Sequence, residues 1–253
     1  MILLDSTLSA TKQILSDFTS ISLKEMDGVS LLRRVDTKFV FDYDTFLEIL
    51  PELMDDYFVL DVNDIRINSY RSLYFDTDDF KFYFDHHNGK TNRKKVRFRE
   101  YLDSGLCFLE IKQKNNKGVT KKSRIKVDRI EESLSTKSTD FIKKILGNDI
   151  DLVPKHWNAY NRITFVNKKL KERLTVDTDF NFKGNDNKGE ITKMIIAEVK
   201  QEKVNYSSAF MRKIKEKGIR PFRISKYCMA MASLYPELKQ NNFKPKFLKI
   251  NQL

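Results

Sequence analysis

Basic residues stand two positions apart in stretch after stretch of this chain. Arg97 and Arg99 do so in Lys94-Lys95-Val96-Arg97-Phe98-Arg99-Glu100-Tyr101. In Phe108-Leu109-Glu110-Ile111-Lys112-Gln113-Lys114, charge falls on Glu110, Lys112 and Lys114 while Leu109 and Ile111 take the other parity. Tyr160-Asn161-Arg162-Ile163-Thr164-Phe165, Arg173-Leu174-Thr175-Val176-Asp177 and Ile196-Ala197-Glu198-Val199-Lys200 repeat the habit. Successive side chains of a strand point to opposite faces, so each segment has one charged face and one apolar face. Arginine forks grip phosphate oxygens bidentately and lysines add point charge. A surface assembled from many such strands suits a polyanion.

Parity selects individual side chains. Arg34, Asp36 and Lys38 oppose Thr37, Phe39 and Phe41; Lys122, Arg124 and Lys126 oppose Ile125 and Val127. With Arg97, Arg99, Lys112, Arg162, Arg173 and Lys200 they form a cationic lining. Two like charges about 6 Å apart repel by roughly 3 kcal/mol at an effective dielectric near 20. A domain stable by about 5–15 kcal/mol tolerates few such pairs uncompensated, and a bound polyanion would compensate them. The acidic members of the lining are Asp36, Glu110, Asp177, Asp179 and Glu198. Carboxylates among phosphate-binding cations can hold a divalent ion that shares its oxygens with the substrate. Glu198 leads this set because its strand is otherwise apolar, with Glu110 and Asp177 behind it. The simpler reading makes all of them salt-bridge partners.

The 253 residues carry 47 Lys and Arg against 35 Asp and Glu, a formal charge of +12. Such a balance points to phosphate-rich partners, although a solvated lysine-rich surface has the same composition. Cys107 and Cys228 are the only cysteines, which excludes a disulfide framework or a cysteine zinc site; Cys107 shares parity with Leu109 and Ile111 and reads as buried. A signal peptide and a run of 18 apolar residues are both missing, so the expected compartment is the cytoplasm. GxxxxGK[ST], GxGxxG and HExxH motifs are missing too. The adjacent His86 and His87 read as a loop pair and not as a metal site. The 19 Phe and 10 Tyr are expected to alternate into the apolar faces as core.

The elements that would position these residues follow from period and turn signals. Helices are expected over 5–26, ending at a break at Asp27-Gly28, and a strand over 32–42. A helix capped by Asp44 and bent by Pro51 follows, then strands over 57–62 and 65–75 and a short helix near 80–87. A meander over 92–102, 106–115 and 118–128 turns at Asp103-Ser104-Gly105 and Asn115-Asn116-Lys117-Gly118. Residues 131–153 read as helix and loop with Ser138 or Thr139 as N-cap. Strands return over 157–168, 171–182 and 192–203, with an exposed loop at 183–189. Helices over 207–217 and 225–234 and a basic tail end the chain. This is one α+β domain over 1–253: N-terminal helices (1–28), a barrel with covering helices (30–235) and the tail (236–253). About eight antiparallel strands with consistent alternation suggest a closed or nearly closed β-barrel, its charged face lining a polar tunnel and helices packed on the apolar outside. A sheet with one solvated face is the alternative.

Nine segments in order carry a resemblance. They are Arg34-Val35-Asp36-Thr37-Lys38-Phe39-Val40, Ser72-Leu73-Tyr74-Phe75-Asp76-Thr77, Val96-Arg97-Phe98-Arg99, Leu109-Glu110-Ile111-Lys112, Lys121-Lys122-Ser123-Arg124, Tyr160-Asn161-Arg162, Arg173-Leu174-Thr175-Val176-Asp177, Glu198-Val199-Lys200 and Ser225-Lys226-Tyr227. Together they resemble the catalytic domain of the vacuolar transporter chaperone (VTC) polyphosphate polymerases, a branch of the CYTH-like triphosphate tunnel metalloenzymes. The resemblance implies a tunnel barrel in which the ATP γ-phosphoryl group passes to a growing polyphosphate chain, with Mn2+ or Mg2+ as cofactor. It implies that Lys38, Arg97, Arg99, Lys112, Lys122, Arg162, Arg173 and Lys226 bind triphosphate or product, that Glu198 binds metal and that Ser225 contacts phosphate. Parity adds Arg124 and Lys200 to the binding set and prefers Lys122 to Lys121. The wider superfamily has a Glu-x-Glu-x-Lys strand where this chain has Arg34, Asp36 and Lys38, one carboxylate fewer. Regulatory and membrane-spanning segments of the eukaryotic relatives are missing, so the chain looks like a stand-alone prokaryotic version. ATP and polyphosphate are the expected partners rather than a specific nucleic acid, and a separate membrane protein at the inner face of the membrane could receive the product. A triphosphatase of the same fold, a cyclase and a non-catalytic polyanion- or RNA-binding module stay open as alternatives.

Overall fold

Polarity that alternates residue by residue gathers most of this chain into one sheet. The computed structural model describes residues 2–27, 34–147, 149–184 and 186–253. Helix α1 (Ile2–Ser16), the short strand β1 (Ser20–Ile21) and α2 (Leu23–Asp27) precede β2 (Val35–Asp42). The expected break at Gly28 and strand start at Leu32 lie outside the described residues. Helix α3 (Tyr43–Ile49) is capped by Asp42 and not by Asp44: the Asp42 carboxylate accepts from Thr45 N at 2.7 Å, satisfying a first-turn N–H. Pro51 sits in the 3-10 helix Leu50–Leu53 that follows. Strands β3 (Tyr57–Leu60) and β4 (Asn68–Asp76), helix α4 (Lys81–His87) and the meander β5 (Arg93–Tyr101), β6 (Leu106–Lys114) and β7 (Thr120–Val127) come next. Helix α5 (Thr136–Leu146) starts at Ser135, ahead of the expected Ser138 or Thr139. Strands β8 (Val153–Asn167), β9 (Glu172–Gly184), β10 (Asn187–Ile191) and β11 (Met194–Gln201) are followed by α6 (Ala209–Glu216), α7 (Lys226–Leu234) and α8 (Lys244–Ile250). The basic C-terminal stretch therefore contains a helix.

The polar stretch around Gly184 and Gly189 is a hairpin, where the sequence suggested a loop. Strands β9 and β10 pair antiparallel from Asn187↔Gly184 to Ile191↔Phe180. Glycine is needed at both positions: a Cβ would come within 2.6 Å of Lys155 O at Gly184 and 2.7 Å of the Phe182 ring at Gly189.

The main sheet runs β2-β11-β9-β8-β4-β5-β6-β7, and its pairings are antiparallel throughout. It is not closed into a barrel, which corrects that expectation. Strand β7 is a charged edge, with Lys121, Lys122, Arg124 and Lys126 exposed, and such an edge resists further pairing. At the opposite end, Phe222 N donates to Lys38 O at 2.7 Å and occupies the outer side of β2. The sheet nevertheless curls strongly. A flat sheet would separate β2 from β6 by six spacings of roughly 4.8 Å, about 30 Å. Yet Lys38 on β2 and Lys112 on β6 lie close enough for their charges to interact.

The curl places the apolar parity outside, under helices. Phe39, Phe41, Ile163, Phe165, Leu174, Val176, Ala197 and Val199 form one buried cluster with Leu15 of α1, Phe46 of α3 and Phe210 of α6. Leu73, Phe75, Val96, Phe98, Leu109 and Ile111 form another with Ile142 and Leu146 of α5. Full burial of a large apolar side chain is worth about 1.5–3 kcal/mol, so these clusters set which parity faces out. On the concave side α7 covers one end, packing Tyr227 and Met231 against Val40, Tyr74, Tyr160, Phe180 and Ile196. The rest of that face is charged.

Candidate active site

Strand register carries the charged parity across the whole concave face. Lys38 stands opposite Glu198 and Asp36 opposite Lys200; Arg173 stands opposite Lys200. Arg162 pairs with Asp177, Arg97 with Glu110 and Lys95 with Lys112, and Lys112 with Lys122. Lys121 falls on the other parity, opposite Gln113. The N-terminus of α7 adds Ser225 and Lys226 from above: Ser225 Oγ accepts from Lys95 Nζ at 2.7 Å, and Lys226 Nζ donates to Asp177. Arg124 lies at the exposed rim, its guanidinium 4.6 Å from the Phe108 ring centre.

Three carboxylates each bridge two of these cations. Glu110 accepts from Arg97 at 2.6 Å and meets Lys122 at 2.5 Å. Asp177 takes Arg162 at 2.6 Å and Lys226 at 2.5 Å. Glu198 takes Lys200, with Lys38 further off at 3.7 Å. Burial alone would raise these acids, but the paired cations more than reverse it and hold all three well below the usual carboxylate range. The buried lysines are also depressed: burial brings Lys200 and Lys226 to about 8 despite their acidic partners. The face nevertheless carries surplus positive charge, because its cations outnumber its carboxylates.

That surplus can be located. Among the described residues, Lys95, Arg99, Lys112 and Arg173 form no ion pair with a carboxylate. Arg99 is buried, reaches only Ser72 Oγ at 3.5 Å, and lies 5.6 and 5.7 Å from the ring centres of Tyr70 and Tyr160. Arg173 keeps a buried Nε without a hydrogen-bond partner. Lys112 is open to water and has the cations Lys95 and Lys122 as its cross-strand neighbours. Water therefore reaches a position enclosed by other cations, as a solvated phosphate site requires.

Tyrosines floor the site. Arg97 donates to Tyr74 Oη at 2.6 Å and lies 5.5 Å from its ring centre; Arg162 sits over Tyr70 and Tyr160, and Lys226 over Tyr160. These tyrosines correct the expectation that aromatics take only the apolar parity. Stacked rings let guanidinium groups be desolvated while their N–H edges stay free. His86 and His87 lie in α4 and not in a loop. His87 contacts Asn88 and Asn242, whereas His86 packs against Tyr227. Lys95, which shares parity with Arg97 and Arg99, was legible but not singled out. Asp76 was not: buried, it accepts from Phe82 N, Tyr83 N and, at 2.6 Å, Tyr227 Oη, and so ties α4 and α7 to the sheet.

No group of three or more His, Cys, Asp or Glu is placed to hold a metal among the described residues. A single carboxylate can still bind a divalent ion if phosphates supply the remaining oxygens. Glu198 fits that role best, its side chain being 19% exposed against 3% for Glu110 and 6% for Asp177.

A family model for the VTC domain matches residues 33–235. The chain belongs to the VTC domain family. Among solved structures, a candidate adenylyl cyclase from Hippeastrum, described as having a dominant triphosphatase activity, is 13% identical with a TM-score of 0.50, covering 79% of this chain and 96% of its own. A candidate adenylate cyclase from Bacillus halodurans is 13% identical with a TM-score of 0.49, covering 76% of this chain and 94% of its own. One from Vibrio parahaemolyticus is 12% identical at 0.45, covering 78% and 97%. At this low identity the likeness to the Hippeastrum structure is one of fold alone. A search of curated proteins gives no match. Among the described residues, no helix is long and apolar enough to cross a membrane.

Proposed function

We propose that this VTC domain is an ATP-dependent polyphosphate polymerase working on its concave face. The observation that supports it most is the surplus of cations without carboxylates, Lys95, Arg99, Lys112 and Arg173, beside three carboxylate-bridged pairs. In this reading the unpaired cations take phosphate oxygens of the nucleotide and the chain, and Ser225 and Lys226 fix the phosphates at the α7 end.

The chemistry asks for alignment and charge neutralisation rather than a general base. The terminal oxygen of polyphosphate is already ionised; it attacks the γ-phosphorus, the bond from γ-phosphorus to the bridging oxygen breaks, and ADP departs with that electron pair. Fixed cations stabilise the charge that gathers on the γ-oxygens and the leaving group. Mn2+ or Mg2+ held by Glu198 and phosphate oxygens would supply further neutralisation there. Glu110 and Asp177 serve in this reading mainly to hold Arg97, Lys122, Arg162 and Lys226 in place.

The test is incubation of purified protein with ATP and Mn2+, with products resolved by gel electrophoresis. Long chains are expected. Orthophosphate alone would make the protein a triphosphatase, and polyanion binding without any turnover would make it a binding module; either result rejects the polymerase.

A further inference from the structure

Lys95 differs from three other lysines of the concave face. Lys122, Lys200 and Lys226 are each held by a carboxylate. Lys95 Nζ instead donates to the neutral Ser225 Oγ at 2.7 Å and lies 5.4 Å from the Tyr227 ring centre, with no carboxylate partner among the described residues. Its charged neighbours are cations: Lys112 from β6, Lys38 from β2 and Arg97 on its own strand. The remaining titratable neighbours are Cys228 and Tyr227 of α7, His86 of α4 and His156 of β8. Burial, with Lys95 adding to it, keeps both imidazoles neutral, and each has a buried Nε2 without a hydrogen-bond partner. Burial lowers the Lys95 amine to about 7, with the three cations adding to it and Cys228 opposing.

We propose that Lys95 couples the arrival of phosphate at the α7 end of the concave face to the uptake of one proton from solvent. The proposal rests on the phosphate-binding reading above and adds a linkage to it. Before binding, Lys95 has nothing negative beside it, and its neutral form relieves repulsion from Lys112, Lys38 and Arg97. A phosphate oxygen at Ser225 supplies the missing negative charge. The lone pair on Nζ then takes a proton from water or buffer, the amine becomes an ammonium, and no covalent bond of the ligand changes. Ser225 Oγ and the Tyr227 ring face offer that ammonium polar contacts. At pH 7.5 an amine with a pKa of about 7 is about three-quarters unprotonated, so most molecules have a proton to gain. An arginine at this position would be charged throughout.

Calorimetric titration with tripolyphosphate at pH 7.5, in buffers of different ionisation enthalpy, counts the protons moved. The ligand and the other lysines contribute alike to the wild type and to Lys95→Arg, so the difference isolates Lys95. The wild type is expected to take up at least about half a proton more than Lys95→Arg does, with both proteins binding. Equal proton counts overturn the proposal. Tripolyphosphate binding to neither protein overturns the phosphate reading itself and this proposal with it. Should Lys95→Arg fail to fold, NMR of lysine side chains in the wild type, assigned with Lys95→Gln, gives the answer. A Lys95 titration that does not move to higher pH when tripolyphosphate binds overturns the linkage.

Discussion

Replacing Glu110 by glutamine removes charge from the most enclosed of the bridging carboxylates while keeping its shape. Glu110 is 2% exposed and holds Arg97 through Nε at 2.9 Å and Nη2 at 2.6 Å. Charge centres about 4 Å apart attract by about 4 kcal/mol at an effective dielectric of 20. Part of that loss is returned because a buried carboxylate no longer has to be desolvated, and Lys122, 44% exposed, can turn to water. Arg97 cannot, being fixed by Tyr74. Removing one partner of a buried pair costs about 3–5 kcal/mol, and we expect the lower end. For a domain of this size that is roughly 6–12 °C in melting temperature. The distinguishing expectation is rescue: tripolyphosphate should raise the melting temperature of Glu110→Gln by more than that of the wild type, because phosphate can neutralise the stranded Arg97. Thermal unfolding followed by near-ultraviolet circular dichroism at low salt reads both quantities. If Glu110→Gln melts with the wild type, or melts low and gains no more from the ligand, the charge-surplus argument is refuted.

Arg99→Ala and Arg173→Ala should each weaken tripolyphosphate binding by about 10- to 150-fold, the value of a charged hydrogen-bonding group at about 1.5–3 kcal/mol; calorimetry checks this, and an unchanged Kd for both removes them from the site. Glu198→Gln should lower turnover of ATP by about 100-fold or more while polyphosphate binding persists, and retained turnover would exclude a role for this carboxylate in the reaction. Ligand-free stability should rise with pH from about 7 to about 10. Lys200 and Lys226 are lowered to about 8 in the fold against about 10.4 in an unfolded chain. The unfolded state therefore binds more protons in that window, giving a gain of at most about 1.4 kcal/mol per pH unit per lysine. The carboxylates act in the opposite range: the stability due to Glu110, Asp177 and Glu198 is complete above the ordinary carboxylate pKa near 4 and is lost as pH falls below it. Urea unfolding across pH measures both limbs, and a ligand-free stability that falls from pH 7 to 10 contradicts the surplus.

Much of this was legible because a strand's period is two. Phe98, Leu109 and Ile111 had to face a core, so Arg97, Arg99, Glu110 and Lys112 had to share the other face. The same rule separated Lys122 from Lys121. Pairing across strands was not legible: that Asp177 would join Arg162 to Lys226, which are distant in sequence, depends on where α7 lands. Tyr70, Tyr74 and Tyr160 are buried as core residues should be, but on the charged parity, since hydropathy does not distinguish a ring that only fills space from one that also carries a guanidinium. Barrel closure failed as an inference because alternation fixes which face is inside but not whether the edge strands meet. The β9–β10 hairpin was hidden by polar residues around glycines whose value is close approach.

The central claim is that phosphate completes the charge balance of the concave face, and a crystal structure with bound tripolyphosphate tests it most directly. Phosphate oxygens are predicted within hydrogen-bonding distance of Arg99, Lys112 and Arg173, with the chain reaching Ser225 at the α7 end. Tripolyphosphate bound elsewhere, with those cations still lacking an anionic partner, would contradict the account.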